Sequence, residues 1–208
     1  MSSATLYRLS GIALLIGGSI TALGTLAQTF LSEDVLSPFW IPVAVCLFIG
    51  TLLLQIGFPA VYLRQMKRAG ALGLLGFITL FCGLAQFGIG FRFFDLVILP
   101  WFGKSADLNL PLSFILYSLS AIVLLFVGSL LFGIAQFRAG VLPKGPIILL
   151  LVGLVLNRIG GHVPHLQDLG SMLFSLSFAW FGLALLSVLR PDVVPEPTPV
   201  SAGTNMRV

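Results

Sequence analysis

The stretch LSFILYSLSAIVLLFVGSLLFGIAQF, residues 112–137, carries no charged side chain from end to end. A helix of about 20 apolar residues is long enough to cross the roughly 30 Å hydrocarbon core of a bilayer. The stretch is apolar throughout, without the alternation of polar and apolar residues that is typical of a membrane-barrel strand. It therefore predicts a transmembrane helix.

Five further runs of the same kind lie on either side of this stretch. The six predicted spans are Leu9–Thr29, Phe39–Leu63, Ala69–Phe91, Leu112–Phe137, Gly145–Val163 and Gly170–Leu189. Of all 208 residues, 58% are hydrophobic and 9% are charged, whereas a soluble domain has about 25% charged residues. We expect an all-α integral membrane bundle of six transmembrane helices over residues 1–190, followed by a disordered Pro-rich cytoplasmic tail over residues 191–208.

Basic residues are divided unevenly between the two sides that alternate loops define. Of the 11 Lys and Arg residues, only Arg92, Lys104 and Arg158 fall on the side opposite the termini. By the positive-inside rule, this bias predicts that the N- and C-termini are both cytoplasmic. We expect a multi-pass protein of a bacterial plasma membrane that contacts the lipid bilayer, and the short basic loops give no reason to expect a nucleic-acid partner.

Two of the spans share a local pattern. LFIGTLLLQIG, residues 47–57, aligns with LFVGSLLFGIA, residues 125–135, which places Gly50 on Gly128. One interpretation is three helical hairpins in tandem, as in transporters with parallel repeats. The alternative is that apolar helices with basic flanks resemble one another by composition. Faces of small residues also allow close helix packing, so a homo-oligomer is a further hypothesis.

The stretch LNRIGGHVPHLQDLG, residues 156–170, is unusually polar for this chain. Asn157 and Arg158 fall below the outer membrane interface if the fifth helix begins near Gly145. The two glycines that follow are expected to break the helix, so a short turn brings Arg158 toward Asp168. Either Arg158 extends to the lipid head groups or it forms a buried pair with Asp168 that lines a cavity.

The same stretch holds both histidines of the chain. His162, His165 and Asp168 form H-x-x-H-x-x-D, whose side chains are of the types that bind Zn²⁺ or another divalent metal. Pro164 argues against the helix that would align them, and no fourth ligand is apparent. We therefore expect no cofactor, with a divalent metal as the alternative, and ordinary interface histidines as the simpler interpretation.

The loop FRFFDLVILPWFGKSADLNLP, residues 91–111, is the other informative segment. Arg92 and Asp95 are one helical turn apart, a spacing that predicts an ion pair at the interface. The remainder is expected to lie on the bilayer surface, and a lid over an outward-facing cavity is the functional alternative.

No nucleotide-binding, zinc-protease, serine-hydrolase or C-x-x-C redox motif occurs in the sequence, so an enzyme is not the expected class. The first hypothesis is a small-solute binding or transport bundle. Its outward-facing polar pocket is formed by Arg92, Asp95, Asn157, Arg158, His162, His165 and Asp168. The second hypothesis is a structural or partner-binding membrane subunit without a ligand. The third is a membrane enzyme or metal site that uses the two histidines and Asp168.

Overall fold

The computed structural model describes residues 3–31, 37–98, 100, 111–160, 163 and 165–187. Within these ranges the chain is helical and contains no strand, which confirms the predicted all-α class. The five main helices are α1 (Ser3–Leu31), α2 (Trp40–Leu84), α3 (Leu112–Ala139), α4 (Gly145–Ile159) and α5 (Leu166–Ser187). Past Leu84, α2 continues through π-helical turns at Ala85–Gly90 and Phe94–Ile98, with the short α-helical segment Phe91–Phe93 between them.

Among the described residues, four helical stretches are long and apolar enough to cross a membrane: Ala4–Leu31, Trp40–Ile98, Leu112–Ala139 and Leu166–Ser187. Helix α4 is apolar as well but has only 15 residues. The predicted count of six helices is not confirmed, because the described part of the chain has five main helices and the predicted second and third spans both fall within α2 and its extension. The predicted tail, residues 191–208, lies outside the described residues.

Helix α2 is interrupted at Gly70, whose φ of 60° and ψ of −161° are not helical. Only glycine adopts this backbone region without strain. On either side of the break, Gln55 Nε2 donates to the carbonyl oxygen of Phe81 at 3.1 Å, although 26 residues of straight helix would span about 39 Å. The rings of Tyr62 and Phe77 stack with centroids 4.8 Å apart. The two arms of α2, residues 40–69 and 71–84, therefore lie side by side in opposite directions.

The helices pack in a ring of neighbours. The first arm of α2 packs against α1, and the second arm packs against α3. Helix α5 lies between α1 and α4, and a smaller contact between α3 and α4 closes the ring. Glycines occupy the close approaches, since an added Cβ would meet the backbone of the facing helix at Gly17, Gly18, Gly76, Gly128, Gly153 and Gly170. Such smooth faces matter in a membrane, where helix association depends on close packing.

An aromatic cluster fills the centre of the bundle. Phe58, Phe132 and Phe178, from α2, α3 and α5, are each 0% exposed. The ring of Phe58 lies 5.3 Å from that of Phe132 and 5.6 Å from that of Phe178, in edge-to-face geometry. These distances are those of favourable aromatic pairs. The cluster therefore joins three helices that are not all neighbours in the ring.

The outer faces of the helices are apolar. Leu23, Ile56 and Leu119 are all more than half exposed. In water, exposed leucine and isoleucine on every helix would be unfavourable, whereas lipid tails are as apolar as these side chains. The distribution is that of an integral membrane protein.

Candidate functional site

A cavity of about 670 Å³ lies between the helices, at the end of the bundle where α4 ends and α5 begins. Side chains from all five helices line it. At its inner end are Leu54, Leu125 and Phe174, each one or two helical turns from a member of the central aromatic cluster. Sites for small molecules have volumes of about 300–1,000 Å³. The cavity is therefore large enough for a small solute and is closed on one side by aromatic rings.

The structure brings five of the seven predicted pocket residues to this cavity. Its lining includes Arg92, Asn157, Arg158, His165 and Asp168. The sixth, His162, lies outside the described residues. The seventh, Asp95, belongs to the π-helical turn Phe94–Ile98, and its side chain also lies outside the description. The predicted pair of Arg92 with Asp95 therefore stays a prediction.

Arg158 does not pair with Asp168 in the part of the chain that the structure describes. Its Nε and Nη2 instead donate to Oδ1 of Asn157, at 3.1 and 2.6 Å. Asn157 in turn donates from Nδ2 to Oγ of Ser171 at 2.7 Å and to the carbonyl oxygen of Gln167 at 3.3 Å. The partner of the guanidinium is therefore the neighbouring amide and not the predicted carboxylate.

A second arginine reaches the cavity from the extension of α2. Nη1 of Arg92 donates to Oε1 of Gln28 on α1, at 3.3 Å. Arg92 and Gln28 both line the cavity. The contact joins residues that are 64 positions apart in the sequence, so it is made by the tertiary packing of α1 against the extension of α2.

His165 lies at the start of α5 with a φ of 64°, a left-handed conformation that is uncommon outside glycine. Its carbonyl oxygen accepts from the backbone N–H of Leu169 at 3.0 Å, so it acts as the first turn's cap. Its ring stacks on Phe30 of α1, with centroids 6.5 Å apart. Among the described residues no group of three metal-ligating side chains is present. Because His162 is outside that set, the metal alternative is left untested.

Sequence reasoning missed the hydroxyl groups of the cavity wall. Six of them line it: Thr21, Thr25, Thr29, Thr51, Ser171 and Ser175. Three of the threonines follow one another at intervals of four along α1, and such spacing places side chains on one face of a helix. This row of threonines in an otherwise apolar span could have indicated a polar helix face that lines a cavity. Trp40, which is 8% exposed, also lines the cavity and was not among the predicted pocket residues.

Three of the lining side chains are charged, namely Arg92, Arg158 and Asp168. The described part of the cavity wall thus carries charges of both signs beside its hydroxyl groups.

A second cavity, of about 600 Å³, lies at the opposite end of the bundle. Its lining includes Arg64, Lys67 and Arg68, which precede the break in α2. The guanidinium of Arg64 lies 5.8 Å from the ring centroid of Tyr7. Exposed basic residues lie at this end of the bundle, next to the break between the two arms of α2. Such a cluster is typical of a short loop beside a membrane.

The fold and these surfaces define an all-α integral membrane protein with a polar cavity inside its helical bundle. In comparisons with known proteins, no family model matches the chain, and no curated protein and no solved structure is detectably similar to it.

Proposed function

We propose that this protein binds a small polar or anionic solute in the cavity between its helices, as a binding or transport bundle. The observation that carries the proposal is the convergence of Arg92 and Arg158, from separate parts of the chain, on one cavity of about 670 Å³. A polar cavity among membrane helices is costly to maintain, since charged groups there cost several kcal/mol unless paired or hydrated. Residues of this kind in a membrane typically mark a substrate pathway.

Arg158 is the residue that we expect to capture the solute. Two of its five N–H donors are used on Asn157, and the side chain is exposed at the cavity. A planar guanidinium suits a carboxylate or a phosphate because it donates two parallel hydrogen bonds. The sequence analysis considered a buried pair of Arg158 with Asp168, and in our proposal Asn157 takes the place of that carboxylate.

The proposal includes a topology of six spans with both termini in the cytoplasm of a bacterial cell. The arms of α2 then count as two spans, and α4 is a short one of about 22 Å. Three antiparallel pairs result: α1 with the first arm, the second arm with α3, and α4 with α5. Under this topology the cavity with Arg158 faces outward, and the basic end with Arg64 faces the cytoplasm.

The structural-subunit hypothesis relied on glycine faces as contacts to other chains. Gly50 instead packs on Thr21 of α1, and Gly128 packs on Leu80 of α2. Both glycines are used for packing within the chain, so replacing them would disturb the fold before it disturbed any assembly.

Native mass spectrometry of the protein, released gently from its own membrane, tests the proposal. The wild type is compared with Arg158→Ala and with Arg138→Ala, a matched control in the last turn of α3. A stoichiometric adduct that is present in the wild type and the control but missing in Arg158→Ala is the expected result. A bare chain in all three samples would overturn the proposal.

A further inference from the structure

The hydroxyl groups of the cavity share a hydrogen-bonding state. Thr21 Oγ1 donates to the carbonyl oxygens of Gly17 and Gly18, at 2.8 and 3.1 Å. Each of the other five also donates to the carbonyl four residues before it in its own helix. These bonds run from Thr25 to Thr21, Thr29 to Thr25, Thr51 to Leu47, Ser171 to Gln167 and Ser175 to Ser171.

With its hydrogen used on a carbonyl of its own helix, each hydroxyl in this arrangement presents its oxygen lone pairs to the cavity. Thr21, Thr51 and Ser175 come from three different helices and are 5%, 8% and 8% exposed. The inner part of the cavity is thus a ring of hydrogen-bond acceptors. A ligand that satisfies it must supply donors.

The mouth of the cavity has the opposite character. Arg158 presents N–H donors and positive charge there. The ligand must therefore carry an acceptor or an anionic group at one end and hydrogen-bond donors along the rest of its length.

We propose that the ligand is a small polyhydroxylated anion, that is, a carboxylate or phosphate on a chain that carries several hydroxyl groups. This inference rests on the proposed function and names the solute class for the same cavity. The anionic group lies against Arg158, and the hydroxyls donate to Thr21, Thr25, Thr51 and Ser175. Leu54 and Phe174 contact the carbon chain.

An ammonium ion would also donate to the hydroxyl ring, but the charges oppose it. Asp168, the one carboxylate among the described lining residues, lies in the first turn of α5 at the mouth. Arg158 lies at the same mouth, so a cation would pass a guanidinium as it enters. Neutral hydroxyls supply the donors without that penalty.

The test uses three probes with the purified full-length protein in lipid nanodiscs, measured by isothermal titration calorimetry. Gluconate has both the anion and the hydroxyls, hexanoate has the anion alone, and glucose has the hydroxyls alone. We expect gluconate to bind at least about tenfold more tightly than either of the others, because each lacks one set of hydrogen bonds.

Substitution of single hydroxyls locates the effect in the cavity. Thr21→Val and Thr51→Val keep the shape of the side chain and remove the acceptor. We expect each to weaken gluconate binding by about fivefold and to leave hexanoate binding unchanged. Thr79→Val, a half-buried position that does not line the cavity, is the matched control and should bind like the wild type.

The outcomes separate the two proposals. Hexanoate binding as tightly as gluconate, with Arg158→Ala abolishing both, would overturn the polyhydroxylated ligand and leave an anion-binding cavity. If none of the three probes binds and native spectra show a bare chain, the proposed function fails and this inference fails with it. The probe series on the wild type needs no variant, so a Thr→Val protein that does not fold leaves the test intact.

Discussion

Arg158 is held by the residue that precedes it, since its Nε and Nη2 both donate to Oδ1 of Asn157. Asn157 is fixed in turn by its hydrogen bonds to Ser171 and to the backbone of Gln167 on α5. A guanidinium oriented by a neutral amide keeps its full positive charge for an incoming anion. A carboxylate partner in the same place would compete with the ligand.

The first prediction separates the positioning role of Asn157 from the binding role of Arg158. Asn157→Ala removes the hydrogen bonds between α4 and α5, so we expect the free energy of unfolding to fall by about 1–2 kcal/mol and solute binding to weaken. Arg158→Ala should abolish binding with little change in stability. Thermal unfolding and calorimetry of both variants check this, and equal losses of stability in the two would contradict it.

The second prediction concerns the contact between α4 and α5. An added Cβ at Gly153 would collide with the backbone of Phe174. Gly153→Ala should therefore destabilise the protein by about 1–3 kcal/mol through overpacking. Gly133→Ala is the control, because its nearest neighbour is a side-chain atom of Ile147 at 3.2 Å and not the backbone of the facing helix. If both variants unfold at the wild-type temperature, the result would contradict the close packing of α4 on α5.

A third prediction uses the two arms of α2. Gly70 has φ 60° and ψ −161°, a region that is essentially restricted to glycine, whereas Gly140 has φ 60° and ψ 22°, which asparagine also adopts. Gly70→Asn should lower the free energy of unfolding by about 1–3 kcal/mol, and Gly140→Asn by less than about 1 kcal/mol. Chemical denaturation in detergent measures both. The reverse order would show that α2 does not turn at Gly70.

Ligand entry should change the fluorescence of one tryptophan. Trp40 lines the cavity and is 8% exposed, whereas Trp180 is 45% exposed on the outside of α5. With Trp101 and Trp180 replaced by Phe, gluconate should shift or quench the remaining emission. The variant that keeps only Trp180 should not respond. A response from Trp180 alone would place the binding site elsewhere.

The six-span topology has its own test. Cys46 and Cys82 are free and can be replaced by Ala, after which single cysteines are introduced at Lys67, Lys144 and Gln167. In intact cells, an impermeant maleimide should label Gln167→Cys alone. The same reagent should label Lys67→Cys and Lys144→Cys only after the membrane is permeabilised. Labelling of all three from outside would contradict the alternation of the spans.

Hydrophobic composition made the class of this protein readable from the sequence, because no soluble fold tolerates apolar runs as long as residues 112–137. The polar stretch at residues 156–170 was also identifiable as a candidate site, since Arg158 and Asp168 are conspicuous between two apolar helices. Local sequence patterns predict apolar helices and polar stretches because both are made of residues that are neighbours in the sequence. The break in α2 was also indicated by the sequence, since Arg64, Lys67 and Arg68 precede Gly70 and divide the predicted second and third spans. The predicted number of six helices is not confirmed, because both of these spans belong to α2 and its extension.

Only the tertiary structure decided which distant residues share the cavity. Arg92 meets Gln28 across 64 positions, and Thr51 and Ser175 come to the same wall as the threonines of α1. These contacts depend on which helices pack closely on one another through their glycine faces. The fit between the helix surfaces decides this packing. The sequence by itself determined a membrane protein with a polar segment. The packing of its helices determined that Asn157, Arg158 and Asp168 of that segment line a cavity together with hydroxyl groups of α1, α2 and α5.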